Sequence, residues 1–469
     1  MMSGGTGPGD GGDDDESWRE ALETPAARGL RLVDEHDAAE NAWRARLLTH
    51  VVGSKDAPKE VVLPCSANAM TVLRYHRDWR DTIAYDAFSE SVVMTRSPPW
   101  DPSDSPGEAA FGEWSDSDTV RAMHWLARRE SLHVRQQVVD QVVPVVAESN
   151  VVHPVRAYLR SLRWDAKVRL PTVLPDLFGT QDSPYARAVG TRWFVSAVAR
   201  VMSPGCQADC TLILEGATGI GKTSAFRALV PVRSWYADTG ITIGDKDSYQ
   251  SLRGVWIYGL DELDSIKRSE RTRTKNFLSQ TQDRYRPSYG RRARTFLRQN
   301  VFCGTTNEET YLGDPSGDRR YWPVRVVRQT DRDAVAAARD HLWAEAVARY
   351  DSGEVWHVDT PELRALCETE QAARQIADPW APVVASWLSD PRTDELTSSG
   401  SEGPTARERY DDSAGVLTVD VLRYALRIRV GDHTKGHEMR AAEVLRSLGY
   451  ERGPLVREGN ARVRRYLKT

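Results

Sequence analysis

Thr211-Leu212-Ile213-Leu214-Glu215-Gly216-Ala217-Thr218-Gly219-Ile220-Gly221-Lys222-Thr223 is a short apolar run that passes directly into G-x-x-x-x-G-K-T. Glycines at 216, 219 and 221 allow a tight turn whose backbone N–H groups face an anion at the start of the next helix. In that setting Lys222 reaches the β- and γ-phosphates of a nucleotide and Thr223 binds Mg²⁺. A chance glycine-rich turn would lack the buried-type strand before it and the helical stretch Ser224 to Leu229 after it. Gly216, Gly219, Gly221, Lys222, Thr223 and Ser224 are therefore the expected ATP cradle, and the fold expected around them is a parallel α/β sheet of the P-loop type.

A second apolar run, Val255-Trp256-Ile257-Tyr258-Gly259-Leu260, ends in Asp261-Glu262. A parallel strand beside the loop would carry both carboxylates to the phosphate end. There Asp261 can hold the metal's water shell and Glu262 can polarise an attacking water. A lone acidic strand end is ordinarily just solvated, and it is the coupling to the loop that points to hydrolysis. A third run, 300–304, leads into Thr305-Thr306-Asn307, where Asn307 can contact the γ-phosphate or its water, or simply cap a turn. Gly317-Asp318-Arg319-Arg320-Tyr321-Trp322-Pro323 sets Arg319 and Arg320 just before a last strand, 321–327. In an oligomeric NTPase such an arginine crosses to a neighbour's γ-phosphate. A weaker strand is expected at 235–243.

Between the second and third strands, residues 284–298 hold six arginines and no acid, interleaved with Tyr285, Tyr289 and Phe296. Guanidinium groups grip phosphates and rings stack on bases, so Arg284, Arg286, Tyr289, Arg291, Arg292 and Arg294 are candidates for contacting single-stranded DNA. Pro287 and Gly290 favour a hairpin tip there. The competing reading turns some of these arginines toward a neighbouring subunit.

With 469 residues and a 40% hydrophobic share, the chain has room for several cores, and its formal net charge of −4 excludes a uniformly basic nucleic-acid binder. Five cysteines without a C-x-x-C pair, and histidines not clustered beside them, predict a reduced cytoplasmic protein without structural metal. No apolar run approaches membrane-span length and no basic-apolar leader opens the chain, so neither membrane nor secretion is expected.

The organisation expected is an acidic disordered tail (1–16), a mixed α/β region without legible chemistry (17–150), a helical collar (151–205) and the ATPase core (206–330). A helical extension (331–388), a polar linker (389–413) and a basic winged-helix-like unit (414–469) complete it. In that last unit two helices precede a hairpin whose Arg462, Arg464 and Arg465 suit a phosphate backbone, or alternatively form the solvated face of a protein-packing wing.

G-A-T-G-I-G-K-T, L-D-E-L, D-R-Y-R-P-S-Y-G-R-R, G-T-T-N and D-P-S-G-D-R-R-Y-W-P-V, in that order, resemble the virulence-associated E (VapE-like) proteins of phages and mobile islands. H-P-V-R-A-Y-L-R-S-L-R-W-D at 153–165 and S-P-G-C-Q-A-D at 203–209 match the same family. Its members are similar to superfamily 3 helicases and to the helicase halves of phage primase-helicases, which are AAA+-like ring ATPases. The resemblance implies Lys222 and Thr223 on phosphate and Mg²⁺, Asp261 and Glu262 as the acidic pair, Asn307 as γ-phosphate sensor, and Arg319 or Arg320 as a trans-acting finger. It further implies a homo-oligomer, hexameric by analogy, acting on DNA with replication proteins as possible partners. Many relatives carry one acid where this chain has two, which leaves the metal and base roles of Asp261 and Glu262 undivided. No primase metal site precedes residue 150, so primase activity is not implied.

Overall fold

The computed structural model describes residues 42–100, 112–239, 249–261, 268–286, 292–313, 318–376, 378–389, 415–458 and 461–468. The chain divides into two compact units, the first comprising Met1–Thr306 with Trp322–Leu363 and the second Asn307–Tyr321 with Arg364–Thr469. Among the described residues no helix is long and apolar enough to cross a membrane.

Among the described residues the first unit opens with a 3₁₀ turn at Arg44–Arg46, followed by a hairpin, β1 (Thr49–Val52) and β2 (Lys59–Val62), and helix α1 (Ser66–Tyr75). Strands β3 (Ile83–Asp86), β4 (Ser91–Met94), β5 (Gly112–Glu113) and β6 (Val151–Val152) form a sheet in the order β5-β4-β3-β6. Helix α3 (Gln136–Ala147) packs on it, and α2 (Asp116–Glu130) packs against α3. Helix α2 starts where it does because Ser115 and Asp118 bond each other's backbone N–H in a reciprocal cap. The core beneath is rich in indole: Trp79, Trp100 and Trp125 are buried with Leu126, Val139 and Val143. The region without legible chemistry is thus a packed subdomain.

Next come α4 (Pro154–Ser161), with Pro154 in its first turn and His153 as cap, and α5 (Pro184–Met202), capped by Ser183. Helix α5 is buried on nearly every side, which is why its sequence has no polar stripe. Three buried indoles use their N–H to tie the layers together. Trp193 donates to Phe302 O at 2.8 Å, Trp256 to Ala197 O at 2.9 Å and Trp343 to Leu229 O at 2.8 Å.

The central sheet consists of β7 (Thr211–Glu215), β8 (Tyr236–Ala237), β9 (Ile257–Asp261), β12 (Val301–Thr306) and β13 (Tyr321–Arg325), in the order β13-β7-β12-β9-β8. Pairing is parallel from β7 through β12 and β9 to β8. Val326 N donates to Glu215 O, which sets the C-terminal ends of β13 and β7 side by side. Helices α6 (Lys222–Ala228), α7 (Arg268–Ser279) and α8 (Arg332–Asp351) belong to the same unit, and β10 (Gln282–Tyr285) and β11 (Arg294–Leu297) form an antiparallel hairpin. The fold is thus mixed α/β around a five-stranded parallel sheet. Of the strand expected at 235–243 the structure shows Tyr236–Ala237, and residues 240–243 lie outside the described residues.

In the second unit, α9 (Pro361–Ala372) anchors the 307–321 segment: Gln371 Nε2 donates to Tyr321 O at 2.9 Å. Helix α10 (Trp380–Ser389), a helical turn at 418–425, α11 (Lys435–Ser447), β14 (Tyr450–Glu458) and β15 (Ala461–Lys468) share one core that includes Trp387, Leu422, Leu445 and Tyr466. The sequence pattern places α10 in a separate extension, whereas its Val384 and Trp387 complete this winged-helix-like core. From 421 the 418–425 helix widens into a π turn, and the polar segment 390–414 and the tip residues 459–460 lie outside the described residues.

Candidate nucleotide site and nucleic-acid interface

Strand β7 is buried along its whole length and delivers the glycine loop at the sheet's C-terminal edge. Gly216, Gly219 and Gly221 all have positive φ (150°, 81° and 93°). A Cβ on Gly216 would sit 3.0 Å from Val326 O, so glycine is required there for close backbone packing as well as for the turn. At the crest a Cβ on Gly219 would meet nothing within 4 Å, so this face of the loop is open. Gly216 N donates to Thr306 O (3.2 Å) and Thr330 N to Ile220 O (3.0 Å), which pin both ends of the loop.

Lys222 is 7% exposed, and its Nζ donates to Gly216 O at 2.5 Å and Ala217 O at 2.9 Å. Burial lowers the pKa of its ammonium. Thr223 and Ser224 follow in the first turn of α6, both half-buried. This cradle has the parts that nucleotide phosphates and Mg²⁺ require: an open crest of loop backbone, a cation that already spans the loop, and a hydroxyl beside it.

In the register of the sheet, Asp261 stands opposite Thr305, and Thr305 stands opposite Leu214. The acidic strand is therefore not beside the loop strand, as the sequence reading supposes, because β12 intervenes. At ordinary strand spacing Asp261 is roughly 10 Å across the sheet from β7. Glu262 lies outside the described residues. Asn307 directly follows β12 and is exposed, while Arg319 (exposed) and Arg320 (half-buried) occupy a 3₁₀ turn at Asp318–Arg320. All three belong to the 307–321 segment of the second unit, whereas Lys222, Thr223 and Asp261 belong to the first. Among the described residues no three or more His, Cys, Asp or Glu side chains converge as a metal site.

Pairing of Tyr285 with Arg294 gives the arginine-rich segment its hairpin form, with the tip 287–291, including Tyr289 and Arg291, outside the described residues. Arg284, Arg286, Arg292 and Arg294 are exposed on it. Two members of the pattern have other duties. Arg298 is buried and grips Asp283 with two bonds of 2.8 Å while its guanidinium lies 4.3 Å from the centre of the Phe277 ring. Tyr285 is also buried, 4.7 Å from Phe296, so it supports the hairpin rather than offering a ring for stacking.

The hairpin's base meets the N-terminal subdomain through residues that the sequence does not single out. Arg253 Nε lies 3.5 Å from Glu90 Oε2, and Gln299 accepts from His153 at 2.7 Å while donating to Ala87 O at 2.7 Å. His153 Nδ1 takes the Arg156 N–H, which leaves the proton on Nε2 for Gln299. Arg253, Glu90 and Gln299 sit in no recognisable motif and only tertiary contact reveals them, whereas His153 opens the H-P-V-R-A-Y-L-R-S-L-R-W-D stretch, which gives no sign of this contact. In the winged-helix-like unit Arg465 donates to Gly415 O at 3.0 Å and Arg464 is half-buried, so Arg465 braces the wing. The Arg462 side chain lies outside the described residues.

A parallel sheet that presents a glycine loop, a lysine and an aspartate at one edge has the architecture of a P-loop protein. Residues 159–376 match the family described as virulence-associated protein E-like domain. Among solved structures it is similar to the apo structure of the NrS-1 C terminal region, with 14% identity over 82% of this chain and 96% of that one and a TM-score of 0.41. An A-form apo structure of the same region gives 13% identity over the same shares, also with a TM-score of 0.41. No curated protein matches the chain.

Proposed function

We propose that this protein is an Mg²⁺- and ATP-dependent, ring-forming DNA translocase or helicase serving replication of a phage or integrated element. The observation that carries the reading is the presence, in one compact unit, of the glycine loop with Lys222 and of a hairpin exposing Arg284, Arg286, Arg292 and Arg294. In this reading Thr223 and Asp261 hold Mg²⁺, which neutralises phosphate charge, and Lys222 turns from the loop carbonyls to the phosphates. Glu262 orients water, Asn307 senses the γ-phosphate, and Arg319 or Arg320 acts on the neighbouring subunit's nucleotide. The hairpins face the central channel and hold single-stranded DNA, and the basic wing guides DNA choice.

The deciding experiment is ATP hydrolysis by the purified protein with and without single-stranded DNA, alongside a forked duplex. Stimulated hydrolysis with strand displacement supports a helicase. Stimulation without displacement replaces it with a DNA-dependent ATP switch in a regulatory or defence complex, and absence of hydrolysis removes the motor reading.

A further inference from the structure

We infer that the N-terminal subdomain carries a second single-strand-binding surface, built where the C-terminal ends of α1 and α2 meet the 44–46 turn. The convergence follows from contacts. His76, just after α1, lies 4.9 Å from Trp125 of α2 and 5.4 Å from Trp43, ring centre to ring centre. Its Nδ1 accepts the Asp78 N–H, so the Nε2 proton faces Glu130 Oε1 at 3.4 Å. Glu130 is also the partner of Arg44, at 2.8 and 2.9 Å. These bonds lock three chain segments into one corner.

Around that buried carboxylate the corner presents arginine to solvent. Arg44, Arg46, Arg77, Arg128 and Arg129 are all exposed. Arg128 and Arg129 alone are what a helix C-terminus recruits. Arg44 and Arg46, however, arrive from a separate segment, so the helix dipole of α2 does not explain them. Arg46 lies 4.7 Å over the ring of Tyr75, which is itself 40% exposed. Among the described residues Asp78 pairs with Arg77 and the internal Glu130 with Arg44, while Arg46, Arg128 and Arg129 come from two different segments. Planar donors beside an exposed ring fit a strand whose phosphates take the guanidinium groups and whose bases stack on Tyr75 and Arg46. An acidic protein segment would use the charges but would leave the ring without a role.

The site is independent of the ATP machinery, so its test needs no nucleotide. Binding of a fluorescent oligothymidylate to the full chain is measured over a salt series for wild type and for R46A/R128A/R129A, both also in a K222A background. Arg44 and Glu130 stay intact to preserve the corner. The triple variant should bind about tenfold more weakly, and its log K against log salt slope should shrink by about 2. Tyr75→Ala should weaken binding several-fold without changing the slope, because stacking releases no counterions. Unchanged affinity and slope in the triple variant overturn the surface. So does a loss confined to acidic polypeptides such as polyglutamate. Failure of the ATPase with these binding losses intact would remove the motor and leave this site standing.

Discussion

Arg298 and Asp283 face each other in a two-pronged ion pair, Nε to Oδ2 and Nη2 to Oδ1 at 2.8 Å each, with both side chains almost wholly buried. It sits at the foot of the arginine hairpin, and Arg298 also donates to Phe277 O and to Gln280 Oε1. Arg298→Ala would leave an uncompensated buried carboxylate and should cost about 3–5 kcal/mol. Chemical denaturation reads that loss, and a variant as stable as wild type would show that the pair contributes nothing.

Lys222→Ala removes the cation from the loop while the glycine turns and their anchoring bonds remain. Hydrolysis should fall by about a hundredfold or more, with circular dichroism and unfolding midpoint nearly unchanged. Hydrolysis at the wild-type rate would place the nucleotide elsewhere.

Arg320→Ala and Arg319→Ala, made separately, identify the finger. One of them should lower turnover by about a thousandfold or more while nucleotide binding, followed with a fluorescent ATP analogue, persists. Mixing the inactive variant with Lys222→Ala subunits should restore part of the activity if the arginine acts on a neighbour's site. Normal turnover in both single variants would eliminate the finger.

Changing Arg286, Arg291 and Arg292 together to alanine should weaken single-stranded DNA binding and reduce its salt slope by about 2. If DNA affinity holds but the oligomer dissociates in sedimentation, the segment belongs to a subunit interface.

Burial pushes the Glu90 carboxyl from the ordinary 4.5 up to about 7, with Arg253 only partly offsetting it. Between those values the folded protein holds a proton that the unfolded chain has released, so stability must decline as pH rises from about 4.5 to about 7 and level off above. The full swing corresponds to roughly 3 kcal/mol, and Glu90→Gln should flatten it when urea midpoints are measured across that range. A wild-type profile already flat there would place the carboxyl in water.

The glycine loop, the strand that feeds it and the presence of a hairpin after α7 were legible in the sequence because each depends on local chemistry. Glycine permits positive φ, an apolar run of strand length buries, and proline with glycine ends a strand. Strand order was not legible, because β12, far along the chain, inserts between β7 and β9 through hydrogen bonds that any backbone can make. Nor does an arginine's type reveal its duty. Arg298 and Arg294 are four residues apart in one basic pattern, yet one neutralises a buried aspartate and the other meets solvent. The same holds for Arg465, which braces Gly415, and for Arg46, which covers Tyr75. By itself the sequence determined where the glycine turns and the clustered arginines lie along the chain, because that is a property of residue types and local turns. Only the tertiary structure decided which of those charges are taken up internally, because burial and pairing depend on what distant segments bring alongside them.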